Sequence, residues 1–133
     1  TLPSLKISSY KLFIDLLSDY GILPYCDHNK SERTLKYNSN YIHFTGLDDP
    51  EKIKSTEFND TWMEEATDFS YDDYLMLKLR NRAPGHKNQL FLSLNPVDES
   101  SWINEKVIKK EECEVIHSTY KDNPFLPEEA KRE

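Results

Sequence analysis

Between Thr61 and Thr119 the apolar residues change their spacing repeatedly, and that alternation commits the chain to a fold mixing strands with helices. Thr61-Trp62-Met63 reads as a brief strand running straight into Glu64-Glu65-Ala66-Thr67. Ser70 and Asp73 have the spacing of a capping box, and Phe69 and Tyr74 that of a hydrophobic staple, so a helix starts there and continues through Leu75, Met76 and Leu79. Residues 80–87 form a basic loop broken by Pro84 and Gly85, and residues 89–94 read as a second strand ending at Asn95-Pro96. A helix from about Ser101 carries Trp102, Ile103 and Val107, and residues 114–119 read as a third strand ending in Tyr120-Lys121-Asp122-Asn123-Pro124. Strand, helix, strand, helix, strand is the order of a parallel sheet with crossover helices. Such sheets bind ligands beyond the carboxyl ends of their strands. Glu64, Glu65, Asn95 and the turn at 120–123 are expected to converge there.

The first third of the chain reads differently. Ser8 or Ser9 can cap a helix whose apolar residues Leu12, Phe13, Leu16, Leu17 and Tyr20 recur at helical spacing, and Gly21 supplies a stop. Two short alternating runs, 34–37 and 41–44, flank Asn38-Ser39-Asn40 and predict a β-hairpin with a three-residue loop. Gly46-Leu47-Asp48-Asp49-Pro50 is a turn, followed by Lys52 and Lys54. At 133 residues the chain is one domain's worth. Its 24 acidic against 17 basic residues give a net charge of −7, which argues against a surface built throughout to hold a polyanion and leaves room for a local patch. No apolar run approaches the roughly 20 residues that cross a bilayer. Two cysteines, Cys26 and Cys113, suggest neither a disulfide framework nor a four-ligand zinc site, so a reducing compartment is the default.

Two adjacent glutamates within a strand point to opposite faces and cannot form a facing acid–base pair. At the last residues of a strand that restriction lapses. One carboxylate can hold a hydrated Mg2+ while the next reaches a water poised to attack a phosphate, the division of labour a nucleotide hydrolase needs. The same spacing also suits a solvated pair of charges at a strand-to-helix turn. Asn95, at the tip of the neighbouring strand, can sense a γ-phosphate or simply make an Asn-Pro turn. Lys52, Lys54, Arg80, Arg82 and Lys87 are loop cations suited to solvent. His117 reads as a hydrogen-bonded core histidine, and Trp62 and Trp102 as packing residues. The phosphate-binding loop ending in Gly-Lys-Ser/Thr is missing from this sequence, whose glycines are Gly21, Gly46 and Gly85 alone. The acidic pair therefore has no nucleotide cradle within these residues.

Four blocks, Phe44-Thr45-Gly46-Leu47-Asp48-Asp49-Pro50-Glu51-Lys52-Ile53-Lys54-Ser55, Trp62-Met63-Glu64-Glu65-Ala66-Thr67-Asp68, Leu92-Ser93-Leu94-Asn95-Pro96 and His117-Ser118-Thr119-Tyr120-Lys121-Asp122-Asn123-Pro124-Phe125-Leu126, together resemble the large terminase subunit of tailed phages, PBSX type, in that family's order. The resemblance implies an α/β architecture: a partial P-loop NTPase of the ASCE type, a three-layer fold with a mostly parallel sheet and a β-hairpin insertion. Residues 1–133 would be part of the ATPase domain, without the Walker A strand and the C-terminal nuclease domain. It implies further that Glu64 takes the Walker B position beside Mg2+, contacting it through water, and that Glu65 is the catalytic glutamate. Ser93 and Asn95 would belong to the coupling motif that senses the γ-phosphate, and Lys52 or Lys54 lies loosely where some relatives carry a cation acting across subunits. Implied cofactors are Mg2+ and ATP in the intact protein, with none held tightly by this chain, which alone would be inactive. Implied partners are double-stranded DNA, the small terminase subunit, the portal protein and further copies in a ring, with no membrane, in the host cytoplasm at the procapsid. From other classes, a non-catalytic remnant or interaction module keeping the α/β fold, or a carboxylate hydrolase using Glu64 and Glu65 without nucleotide, also fit the residues.

Overall fold

A computed structural model describes residues 9–47, 53, 56–85, 87–95 and 98–127. Helix α1 (Ser9–Asp19) opens them. It ends as its glycine predicts: Ile22 N donates to Leu17 O at 2.8 Å and Gly21 N to Ser18 O at 2.9 Å, with Gly21 at φ 67°, the left-handed residue of a Schellman motif. Phe13 of α1 packs its ring 5.3 Å from that of Phe44, and the Tyr10 hydroxyl is hydrogen-bonded to His28 Nε2 at 2.7 Å. Those contacts seat the helix on a three-stranded antiparallel sheet of β1 (Asp27–Asn29), β2 (Thr34–Tyr37) and β3 (Asn40–His43), in that order.

The expected hairpin is present with a tighter loop. Tyr37 pairs with Asn40, so the connection is Asn38-Ser39 and Asn38 takes φ 53°. Asn tolerates that left-handed backbone better than most residues, which is why the strand resumes one position earlier than expected. β1 was not legible: Asp-His-Asn has no apolar signal and becomes a strand only by pairing His28 with Leu35. An Asx turn then delivers the chain to β2, as Asn29 Oδ1 accepts from the backbone of Ser31 and Glu32 at 3.1 Å each.

The second half forms β4 (Asp60–Met63), helix α2 (Tyr71–Arg80) and β5 (Gln89–Leu92), with β4 and β5 parallel in the register Trp62 to Phe91 and Met63 to Leu92. Ser70 caps α2 with the full capping box, its side chain accepting from Asp73 N while the Asp73 carboxylate accepts from Ser70 N. A six-residue π-helical segment, Ile103–Ile108, follows. The core lies here: Ile53, Met63, Ala66, Tyr74, Leu77, Ile103 and Val107 are buried together, with Phe69, Leu92, Leu94 and Trp102 packed against them. The Trp102 indole N–H donates to Phe69 O at 2.9 Å, so this tryptophan is the packing residue the sequence suggested. The Tyr74 hydroxyl and Lys78 Nζ both donate to Glu111, at 2.7 and 2.6 Å, tying the chain after the π-helical segment back onto α2. Burial opposes the charge on Glu111, yet these bonds and the Lys78 charge outweigh it and hold the carboxyl below its ordinary range.

Two expectations fail in the last segment. Residues 112–119 form no strand; they run irregularly and exposed, with Ile116 83% accessible. Their apolar residues alternate, but no described strand edge pairs with them, and alternation without a partner makes no ladder. Thr119 instead caps a 3-10 turn, Tyr120–Asp122. The parallel sheet therefore has two strands among the described residues, not three. His117, expected in the core, is exposed with the rest of the segment. The architecture the residues establish is mixed α/β, a small parallel sheet beside an antiparallel one.

Candidate functional site

β4 buries its last residue, Met63, at 2% exposure, and this anchors the point where the chain turns. Glu64 and Glu65 form that turn, and Glu65 enters the left-handed region at φ 52°, ψ 56°. Ser93, one residue past β5, brackets the pair from the neighbouring strand. Its N–H donates to Met63 O at 3.1 Å and its carbonyl accepts from Ala66 N at 2.9 Å. The parallel ladder thus continues across the acidic residues as a clip. Both residues follow directly on the carboxyl end of β4 and both are exposed. Glu64 also accepts a hydrogen bond from the hydroxyl of Ser9, at the head of α1. That bond links the N-terminal helix to the edge of the parallel sheet.

The structure thus brings Glu64, Glu65 and Ser93 together, with Leu94 half-buried against the core and Asn95 exposed two residues beyond Ser93. Lys52 and Lys54 lie outside the described residues, as does His86. Of the other loop cations, Arg82 pairs with Glu57 at 2.8 Å. Two residues at the site escaped the sequence reading. Ser9 counted only as a helix cap, and Trp62 only as packing, yet Trp62 is 72% exposed and its indole N–H donates to Ser93 Oγ at 3.0 Å. Strand alternation was the available signal, since it sets Trp62 opposite in direction to the buried Met63.

Chemically, the edge offers only oxygen donors and an amide: two carboxylates, the Ser93 hydroxyl and Asn95. No group of three or more His, Cys, Asp or Glu side chains among the described residues makes a metal cage. That set fits a hard, oxygen-preferring cation such as Mg2+ or Mn2+ and not one that prefers nitrogen or sulfur, because Mg2+ keeps most of its waters and takes one or two carboxylates plus substrate phosphates. Two concavities of the described residues lie away from this edge: an apolar one between α1 and the antiparallel sheet, lined by Phe13, Leu17, Ile22, Leu35, Tyr37, Asn40 and Ile42, and a second beside Glu99, Asn104, Ile108 and Lys109. No helix of the described residues is long and apolar enough to cross a membrane.

A family model described as phage terminase large subunit matches residues 3–133. The chain is 28% identical over 144 aligned positions to the PBSX phage terminase large subunit of Bacillus subtilis (strain 168), an alignment covering 91% of this chain and 33% of that protein. It is 35% identical over 115 positions to the terminase large subunit of Bacillus phage SPP1, covering 74% of this chain and 27% of that one. The chain therefore spans about a third or less of the length of these relatives. No solved structure matches it significantly.

Proposed function

Because this chain belongs to the phage terminase large-subunit family, we propose that it is part of the ATP-hydrolysing motor domain of a DNA-packaging terminase, built on a P-loop NTPase fold. The observation that carries the reading is the Glu64-Glu65 turn at the carboxyl edge of a parallel strand, clipped by Ser93 from the strand beside it. Ligands of parallel sheets bind at that edge. In this reading Glu64 holds hydrated Mg2+, and Glu65 orients the attacking water and accepts its proton. Mg2+, when bound, neutralises charge developing on the β- and γ-phosphate oxygens. Ser93 and Asn95 meet the γ-phosphate side and pass its loss to the body of the domain through Leu94, which packs on the core. The triphosphate cradle is supplied by residues outside this stretch, since no Gly-Lys-Ser/Thr occurs in it. Lys52 or Lys54 serves as the cation acting between copies in a ring. Double-stranded DNA, the small subunit and the portal are the partners, at the procapsid in the host cytoplasm.

The test is Glu65→Gln in the intact large subunit. ATP turnover is expected to fall by at least about a hundredfold, the usual worth of a positioned general base, with nucleotide binding retained. Turnover comparable with that of the unaltered protein removes Glu65 from the role. The alternative, a non-catalytic interaction module, draws on the exposure of both acidic residues. An unaltered large subunit that hydrolyses no ATP would decide for it.

A further inference from the structure

Trp62 lies outside the buried cluster of the described residues. It is 72% exposed on the outer face of β4, beside Phe91 at 49%, while its neighbour Met63 fills the core. The ring makes a directed bond, from indole Nε1–H to Ser93 Oγ at 3.0 Å, well inside the normal range for N–H···O. We infer that Trp62 is a positioning residue, which sets the Ser93 hydroxyl as a proton donor toward an anionic oxygen at the edge where Glu64 and Glu65 turn.

Hydrogen-bond polarity decides what the Ser93 hydroxyl can do. An indole N–H can only donate, so Ser93 Oγ must accept from it. A serine hydroxyl has one proton and two lone pairs, so occupying one lone pair leaves the proton to be given elsewhere. The backbone of Ser93 is fixed on both sides by Met63 O and Ala66 N, so rotation about its side-chain bond is the freedom that remains. The Trp62 bond removes it. A hydroxyl held in this way keeps its proton for a phosphate oxygen or the oxygen of an attacking water. The bond also spans two strands, from position 62 to position 93, so it senses any change in their relative register. The inference rests on the motor reading for its ligand, but the bond itself does not.

The experiment therefore has two arms. In the 133-residue chain the two indole N–H resonances, of Trp62 and Trp102, are followed by NMR in the unaltered and Ser93→Ala forms. Trp102 donates to Phe69 O and serves as the internal reference. Ser93→Ala should move the Trp62 resonance and speed its solvent exchange while leaving Trp102 in place; an unmoved Trp62 signal overturns the inference. In the intact large subunit, Trp62→Phe keeps an aromatic ring and removes the donor. It should lower kcat for ATP about tenfold, the equivalent of one hydrogen bond, with KM changed by less than about twofold. Trp62→Phe with unchanged kcat, alongside a Glu65→Gln form that is dead, overturns the role of Trp62 and leaves the motor reading standing. Full activity in Glu65→Gln itself removes the motor reading, and with it the ligand inferred here.

Discussion

Glu65 holds a left-handed backbone at φ 52° that costs a residue bearing a Cβ about 1–2 kcal/mol. Asn38 has a similar φ in a hairpin loop, where turn chemistry explains it; nothing comparable recommends glutamate at position 65. Such a cost is kept where the side chain is needed at that spot. Glu65→Gly should then raise the urea midpoint of the chain by the equivalent of about 0.5–1 kcal/mol, the backbone relief less the extra unfolded-state entropy of glycine. A midpoint that drops would mean that the Glu65 side chain contributes to the fold and is not held at its expense. The pairing of two acids at the end of a strand was readable directly, because Met63 is the last apolar residue before them. The conformation of Glu65 was not, since nothing in Met-Glu-Glu-Ala calls for a positive φ. Nor was the Ser9 contact, which joins residues 55 positions apart through two side chains whose local roles were already accounted for.

At the scale of elements, legibility followed how far each one is specified locally. Helix α2 announces its own start: Ser70, Asp73 and the flanking Phe69 and Tyr74 are all within six residues, and the capping box forms as spelled. Ser70→Ala should cost about 1 kcal/mol, seen as a lowered midpoint in thermal or urea unfolding, since it leaves the Asp73 N–H without its cap. A midpoint unchanged within error would mean that the box adds nothing to α2. Helix α1 likewise carries its stop in Gly21. Two segments whose state depends on pairing depart from expectation, in opposite directions. β1 has polar residues and a partner; residues 114–119 have the right alternation and none among the described strands. Glu112 and Glu114 add charge to a run whose apolar residues, Val115 and Ile116, stay in water.

Taken as a whole, the molecule has a buried cluster confined to residues 53–107, while the N-terminal helix and antiparallel sheet bury Thr34 and Leu35. Parallel sheets are ordinarily covered on both faces, and among the described residues the face bearing Trp62 and Phe91 is open. Of the three-layer fold that the resemblance implies, the described residues establish a mixed α/β arrangement with a two-stranded parallel sheet beside an antiparallel one. Ser93 nevertheless brackets the Glu64-Glu65 turn, its N–H bonded to Met63 O and its carbonyl to Ala66 N. The central claim is that Mg2+ and ATP meet the chain at this edge. Replacing Mg2+ by Mn2+ with ATP in the intact large subunit, labelled over this stretch for NMR, measures it directly. The account predicts paramagnetic broadening of the amides at 64–66 and 93–95 while those at 27–43 stay sharp; sharp signals at 64–66 would contradict it.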